Sequence, residues 1–158
     1  MIRCVRILHG DIGSGKTTRA KDWVTEQALA GRLVGGVLAR KTSEGRRFVD
    51  LITGDEVALE HPADGEDTVA VGRFLFRRAA FDWATRRVEA AVSAGASVVI
   101  IDEVGPLEMR GEGFAPLLDR LAHVRPMVIQ VLLVRSSLTQ AVAERFAAGA
   151  DVEFDPDL

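Results

Sequence analysis

At 158 residues the chain is long enough for one domain with its own core, and its 47% apolar and 27% charged content is that of an ordinary globular protein. A net charge of −3 gives no attraction to nucleic acid or to an anionic membrane, and a lone cysteine, Cys4, excludes a disulfide framework and a cysteine-built zinc site. No apolar run is long enough to cross a bilayer, and the charged start MIRCVRILHGD does not read as a signal peptide, so a reducing, cytoplasmic setting is expected.

In chain order, Val5–His9 reads as a short strand, apolar and β-branched, ending at a glycine-rich stretch. Lys16 to Ala30 reads as a helix with Ala20, Trp23, Val24 and Gln27 on one side and Gly31 as its stop. Leu33–Lys41 is a strand. A loop at TSEG (42–45) leads into Arg47–Thr53, the turn Gly54-Asp55 and Glu56–Glu60, a meander of short antiparallel strands. After the acidic turn HPADGEDT (61–68), Val69–Phe76 alternates as a further strand. Arg77–Ala94 carries Phe81, Ala84, Val88 and Val92 at helical spacing and stops at Gly95.

SVVIID (97–102) is a continuous apolar run, as in a strand covered on both faces. A helix from near Pro116 to His123 turns Leu117, Leu118 and Leu121 inward, and Met127–Val134 is a second buried strand. Ser137-Leu-Thr-Gln140 has the spacing of a capping box for a helix reaching Ala148, and Val152–Phe154 is a last strand. Strands alternating with helices predict an α/β fold: a mainly parallel central sheet with antiparallel strands added by residues 46–76, all in one domain, 1–158.

The stretch Gly10-Asp11-Ile12-Gly13-Ser14-Gly15-Lys16-Thr17-Thr18 fits the phosphate-binding P-loop. Its glycines let the backbone wrap so that successive N–H groups face one anion, and the helix starting near Gly15 adds its positive end. In this pattern Lys16 reaches the β- and γ-phosphates and the Thr17 hydroxyl ligates Mg2+. The four fixed positions arise by chance in on the order of one such chain in a few hundred. The strand before and the helix after make chance rarer still.

The second constellation is Val98-Val-Ile-Ile-Asp102-Glu103. A P-loop site needs an acid at the end of a neighbouring buried strand to hold the Mg2+ shell, through water, and Asp102 fits. Side chains alternate along a strand, so Glu103 leaves in another direction and can face the γ-phosphate and its water.

With HGDIGSGKTT, GVLARKTSEGRRFVDLITGDEVAL (36–59), VGRFLF (71–76) and IDEVGPLE (101–108), the chain resembles the small P-loop nucleoside-triphosphatases first described from thermophiles, with relatives in bacteria, archaea and animals. The resemblance implies a three-layer P-loop sandwich of the RecA/AAA-like kind. It also implies Mg2+-dependent hydrolysis of nucleoside triphosphates to diphosphates with loose base selectivity. By position, Lys16, Thr17, Asp102 and Glu103 take the roles argued above. Arg46 and Arg47 follow TSEG, where the family places an arginine, and either could neutralise transition-state charge. Arg135 ends the strand Met127–Val134, where related ATPases carry a γ-phosphate sensor, and Glu108 could anchor the loop after Asp102. His9, His61 and His123 share no metal-ligand spacing, and Trp23 and Trp83 sit at core spacing.

Two other readings compete with hydrolysis. A small-molecule or nucleotide kinase needs a second cavity and a lid that excludes water, and the segment available, residues 54–68, is short and acidic. An ATP-gated adapter in cofactor biosynthesis would carry the same site. A guanine-specific switch is disfavoured, since its Asn-Lys-x-Asp motif needs an asparagine and the chain has none. The nucleoside triphosphate is the one partner the residues specify; no nucleic-acid or membrane partner is expected, and the residues name no protein partner.

Overall fold

The buried apolar runs of the chain stack side by side in one sheet. The structure, a computed structural model, describes residues 2–11 and 14–154. Its strands are β1 (Cys4–His9), β2 (Val34–Thr42), β3 (Gly45–Asp50), β4 (Glu56–Ala58), β5 (Thr68–Val71), β6 (Phe74–Arg77), β7 (Val98–Val104), β8 (Ile129–Val134) and β9 (Asp151–Phe154). The helices are α1 (Lys16–Leu29), α2 (Arg78–Ser93), α3 (Pro106–Met109), α4 (Ala115–Leu121) and α5 (Thr139–Phe146).

Seven strands form the main sheet in the order β4-β3-β2-β7-β8-β1-β9. From β2 to β9 every pairing is parallel, while β2–β3 and β3–β4 are antiparallel. The central strands therefore bury both faces, which is why they read as unbroken apolar runs. Leu8, Leu38, Ile100, Val131 and Leu133 meet Ala20 and Trp23 of α1 on one face. Ile7, Val37, Val99, Ile101 and Leu132 meet α2, α4 and α5 on the other. The result is the expected three-layer sandwich. The helix α2 packs through Ala80, Phe81, Ala84, Val88 and Ala91, spaced as one face of a helix. Phe81 joins Phe48 and Phe114 with ring centroids 5.2–5.4 Å apart. Each such ring pair contributes about 0.5–1.5 kcal/mol beyond its buried area.

Several sequence expectations change. Val69–Phe76 is not one strand but a hairpin, β5–β6, forming its own two-stranded sheet. Its turn is Gly72-Arg73, with Gly72 at φ 55°. A glycine first in a two-residue loop turns a hairpin tightly, so the alternating run folds back on itself. The TSEG loop is likewise only a tight turn, because β2 and β3 pair as far as Thr42 with Gly45. Arg46 therefore lies on β3 beside Arg47, where the strand was expected to begin only at Arg47.

The Ser137 capping box does not form. Leu138 N–H already donates to Arg135 O (2.9 Å), closing a 3-10 turn over Ser136–Leu138, and Thr139 Oγ1 donates to Ser136 O (2.8 Å). The helix then begins at Thr139 and stops at Phe146, short of Ala148. The short helix α3 carried no periodic signal, being a single turn. No helix among the described residues is long and apolar enough to cross a membrane.

Candidate active site

The site is built where β1, β8 and β7 end together. Beyond β1, Gly10 N–H donates to Val134 O (3.3 Å), tying the start of the glycine loop to the end of β8. A Cβ on Gly10 would lie 2.1 Å from Ser14 Oγ, so a side chain there would displace Ser14. Gly15 takes the left-handed region at φ 85° and is the N-cap of α1, and its carbonyl accepts Arg19 N–H at 2.9 Å. Glycine enters that region without the steric cost a Cβ brings. Lys16 and Thr17 then open the helix, half-buried, with Asp11, Ser14 and Thr18 exposed. The expectations for Ile12 and Gly13 lie outside the described residues.

Asp102 is fully buried at the end of β7. Its Oδ2 accepts the Thr17 hydroxyl at 3.0 Å and the Ala39 N–H at 2.9 Å. Its Oδ1, equally buried, has no hydrogen-bond partner among the described residues. Burial pushes the Asp102 carboxyl up to about 7 and the Glu103 charge adds to this, while the Ala39 N–H, the Thr17 hydroxyl and Lys16 pull the other way. A buried carboxylate oxygen without a partner is costly, and one close to a hydroxyl and an ammonium fits the outer shell of a divalent cation.

The acid-bearing strand β7 is separated from β1 by β8. This is the RecA/AAA-like order, and it explains Arg135. The C-terminal end of β8 is held between the glycine loop and Asp102, so the next residue starts beside both.

Glu103 departs from strand geometry. Its φ is +66°, and the β7–β8 register slips between Ile101 and Val104, so that Asp102 and Glu103 oppose the single residue Leu133. This is a β-bulge, which re-aims a side chain, and the left-handed backbone of a non-glycine residue is costly enough to need support from its surroundings. Alternation predicted that the two carboxylates would diverge, and the bulge sets how. Asp102 faces α1, while Glu103 stays partly exposed and pairs with Arg46, Nε to Oε1 at 3.4 Å. The Arg46 guanidinium lies 4.9 Å from the Phe74 ring centroid and 5.9 Å from that of Phe76.

Of the two adjacent arginines only Arg46 reaches this place. Arg47 points to the opposite face of β3 by the alternation of a strand and lines neither cavity at the site. Glu108, expected as a loop anchor, is buried, and its Oε1 and Oε2 accept Gly105 N–H (2.7 Å) and Phe114 N–H (2.8 Å). Two contributors went unread in the sequence: the Ala39 N–H on Asp102, which carries no side-chain signal, and Phe74 under Arg46. A Gly-x turn in VGRFLF was the available clue to the second.

Ser14–Thr18 form one side of a cleft of about 730 Å³, with Leu38–Lys41, Arg46, Val49, Leu51, Glu56 and Glu103 around the rest. A strand, glycine loop and helix beside a buried acid on a nearby parallel strand define the class of P-loop nucleoside-triphosphatases.

Residues 6–154 match the model of the family described as NTPase, and the chain belongs to that family. It is 33% identical over 138 residues to a nucleoside-triphosphatase THEP1 of Methanopyrus kandleri, covering 82% of this chain and 73% of that one. To a nucleoside-triphosphatase THEP1 of Pyrococcus abyssi it is 31% identical over 130 residues, covering 78% and 72%. The crystal structure of THEP1 from Aquifex aeolicus has the same fold, with a TM-score of 0.68 over 95% of this chain and 88% of that one, at 21% identity.

Proposed function

We propose that the protein hydrolyses nucleoside 5′-triphosphates to diphosphate and phosphate, with Mg2+ and little preference for the base. The observation that carries this reading is the hydrogen bond from Thr17 Oγ1 to Asp102 Oδ2, which joins the glycine loop to a buried acid 85 residues away. Thr17 and Asp102 are the residues that would hold Mg2+, Asp102 through water. The cation supplies charge neutralisation on the phosphate oxygens when bound.

The rest falls to this chain's own side chains. The N–H groups of Ser14 to Thr18 take the phosphates, and the start of α1 favours negative charge there. Lys16 pairs with the β- and γ-phosphates as a compact cation. Glu103 orients the attacking water and accepts its proton. Arg46 spreads its charge over the γ-phosphate oxygens, and Arg135, entering from β8, senses the same group. Loose base choice follows from the residues named, which serve the phosphates, the cation and the attacking water and none of which reads a base.

The test is phosphate release from ATP, GTP, CTP and UTP by the purified chain, with Mg2+ and with chelator. Release by wild type, absent with chelator and absent in Lys16→Ala, supports the reading. Release that persists in folded Lys16→Ala removes it.

A further inference from the structure

The nucleotide cleft has a second space behind it. A pocket of about 80 Å³ is walled by Phe48, Leu59, Val71, Phe74, Phe76 and Leu107, with Arg135 at its edge. Phe48, Leu59, Phe76 and Leu107 are buried, so packing holds most of this wall in place. Lys16, Arg46 and Glu103 line both this pocket and the cleft, so the two spaces meet at those three side chains.

Water attack does not require such a pocket, because the open cleft already brings solvent to Glu103. An apolar, poorly hydrated recess is instead a place that a hydrophobic group fills favourably. A dry apolar cavity of roughly 150 Å³ takes a benzene ring whole. This one has about half that volume and opens onto the cleft, so an apolar group enters it from the cleft side, with its polar arm at the opening. Charge selects that arm. With a triphosphate in the cleft, Lys16 and Arg46 face phosphate. An anionic arm then meets both Glu103 and the γ-phosphate, and an ammonium meets Arg46 and Arg135. A neutral hydroxyl can donate to Glu103 and accept from an arginine. The acidic segment 54–68 is also less repulsive than its composition suggests. Glu66 pairs with Arg77 at 2.6 Å and Asp67 with Arg78 at 3.0 Å.

We propose that this pocket binds a small ring-bearing alcohol whose hydroxyl takes the phosphoryl group in place of water. The inference rests on the hydrolytic reading of the cleft. The alcohol oxygen forms a bond to Pγ as its proton passes to a Glu103 carboxylate oxygen. The bond from Pγ to the β,γ-bridging oxygen breaks, and its electron pair leaves with the nucleoside diphosphate. The products are a phosphate monoester, the diphosphate and a proton returned to solvent.

The probes are benzyl alcohol, 2-phenylethanol and cyclohexylmethanol, each at millimolar concentration with Mg–ATP. Binding is read in Glu103→Gln from methyl NMR shifts of Leu59, Val71 and Leu107, and transfer is read in wild type from a ³¹P monoester signal. At least one alcohol is expected to shift these methyls and to yield its ester in wild type. Val71→Trp, which fills the pocket, is expected to weaken binding by at least about tenfold, with Val71→Phe standing in if the first does not fold. Absent shifts with all three alcohols, or undiminished binding when the pocket is filled, overturns the site. Binding without ester overturns the acceptor role. The hydrolytic reading fails separately, through phosphate release by Lys16→Ala, whatever the methyls show.

Discussion

Arg46 and Glu103 form an ion pair, Nε to Oε1 at 3.4 Å, in which the arginine is mostly buried and the glutamate is not. The pair joins β3 to the bulge of β7, and the guanidinium rests against Phe74 from the β5–β6 hairpin. Two strands of the main sheet and the separate hairpin thus converge on one cation beside the phosphate loop. Arg46→Ala is expected to lower kcat at least about tenfold, equivalent to about 1.4 kcal/mol. Arg47→Ala, on the other face, should stay within about threefold. Arg46→Lys should not restore the rate, since an ammonium neither stacks on Phe74 as a plane nor pairs two oxygens at once. Steady-state phosphate release from the three variants checks this, and equal effects at the two positions would count against Arg46.

Glu103→Gln keeps the size of the side chain and removes the proton acceptor. Lys16, Thr17 and the loop N–H groups are untouched, so nucleotide binding should persist while kcat falls at least about a hundredfold. Binding and phosphate release must be measured separately. Loss of both would make Glu103 a structural residue of the bulge, and unchanged release would end its assignment as base.

Lys16→Ala removes the compact cation of the loop, which is half-buried between the cleft and the apolar pocket. Productive binding of triphosphate should be lost with the fold intact. Isothermal titration with Mg–ATP, beside circular dichroism of the same sample, decides this.

Base choice should be loose, with ATP, GTP, CTP and UTP hydrolysed within about tenfold of one another in kcat/KM. A preference above about a hundredfold, near 2.7 kcal/mol, would mean that the far wall of the cleft reads the base.

Glu108 gives a stability prediction with a defined sign. Burial raises its carboxyl to about 7, against the two N–H groups it accepts from Phe114 and Gly105. The folded protein therefore holds this proton more tightly than the unfolded chain, whose carboxyl titrates near 4.5. The proton-linked contribution is fully present below that pH and is lost as pH rises through about 7. Tm should accordingly decline across this range, and the decline should be shallower in Glu108→Gln. Glu108→Ala strands two buried N–H groups, each at about 1–3 kcal/mol, so its Tm should fall at every pH. Parallel Tm–pH curves for wild type and Glu108→Gln would refute the linkage.

What the sequence determined by itself is whatever one short segment must do alone. A phosphate loop is contiguous: its glycines, lysine and threonine are adjacent because one turn of backbone wraps one anion, so GDIGSGKTT could be read directly. The apolar run ending in Asp102 was legible for the same reason, since a strand covered on both faces must be apolar along its length. The tertiary structure decided everything that depends on which strands lie side by side. Strand order put β8 between the loop and the acid and so carried Arg135 to the site. Strand alternation on β3 chose Arg46 over Arg47, a choice hidden while TSEG passed for a loop. The bulge at Glu103 needs a partner strand to slip against, so no local pattern announces it. The apolar pocket is made by side chains from β3, the hairpin and the turn after β7, far apart in sequence and joined only because burying them together is favourable.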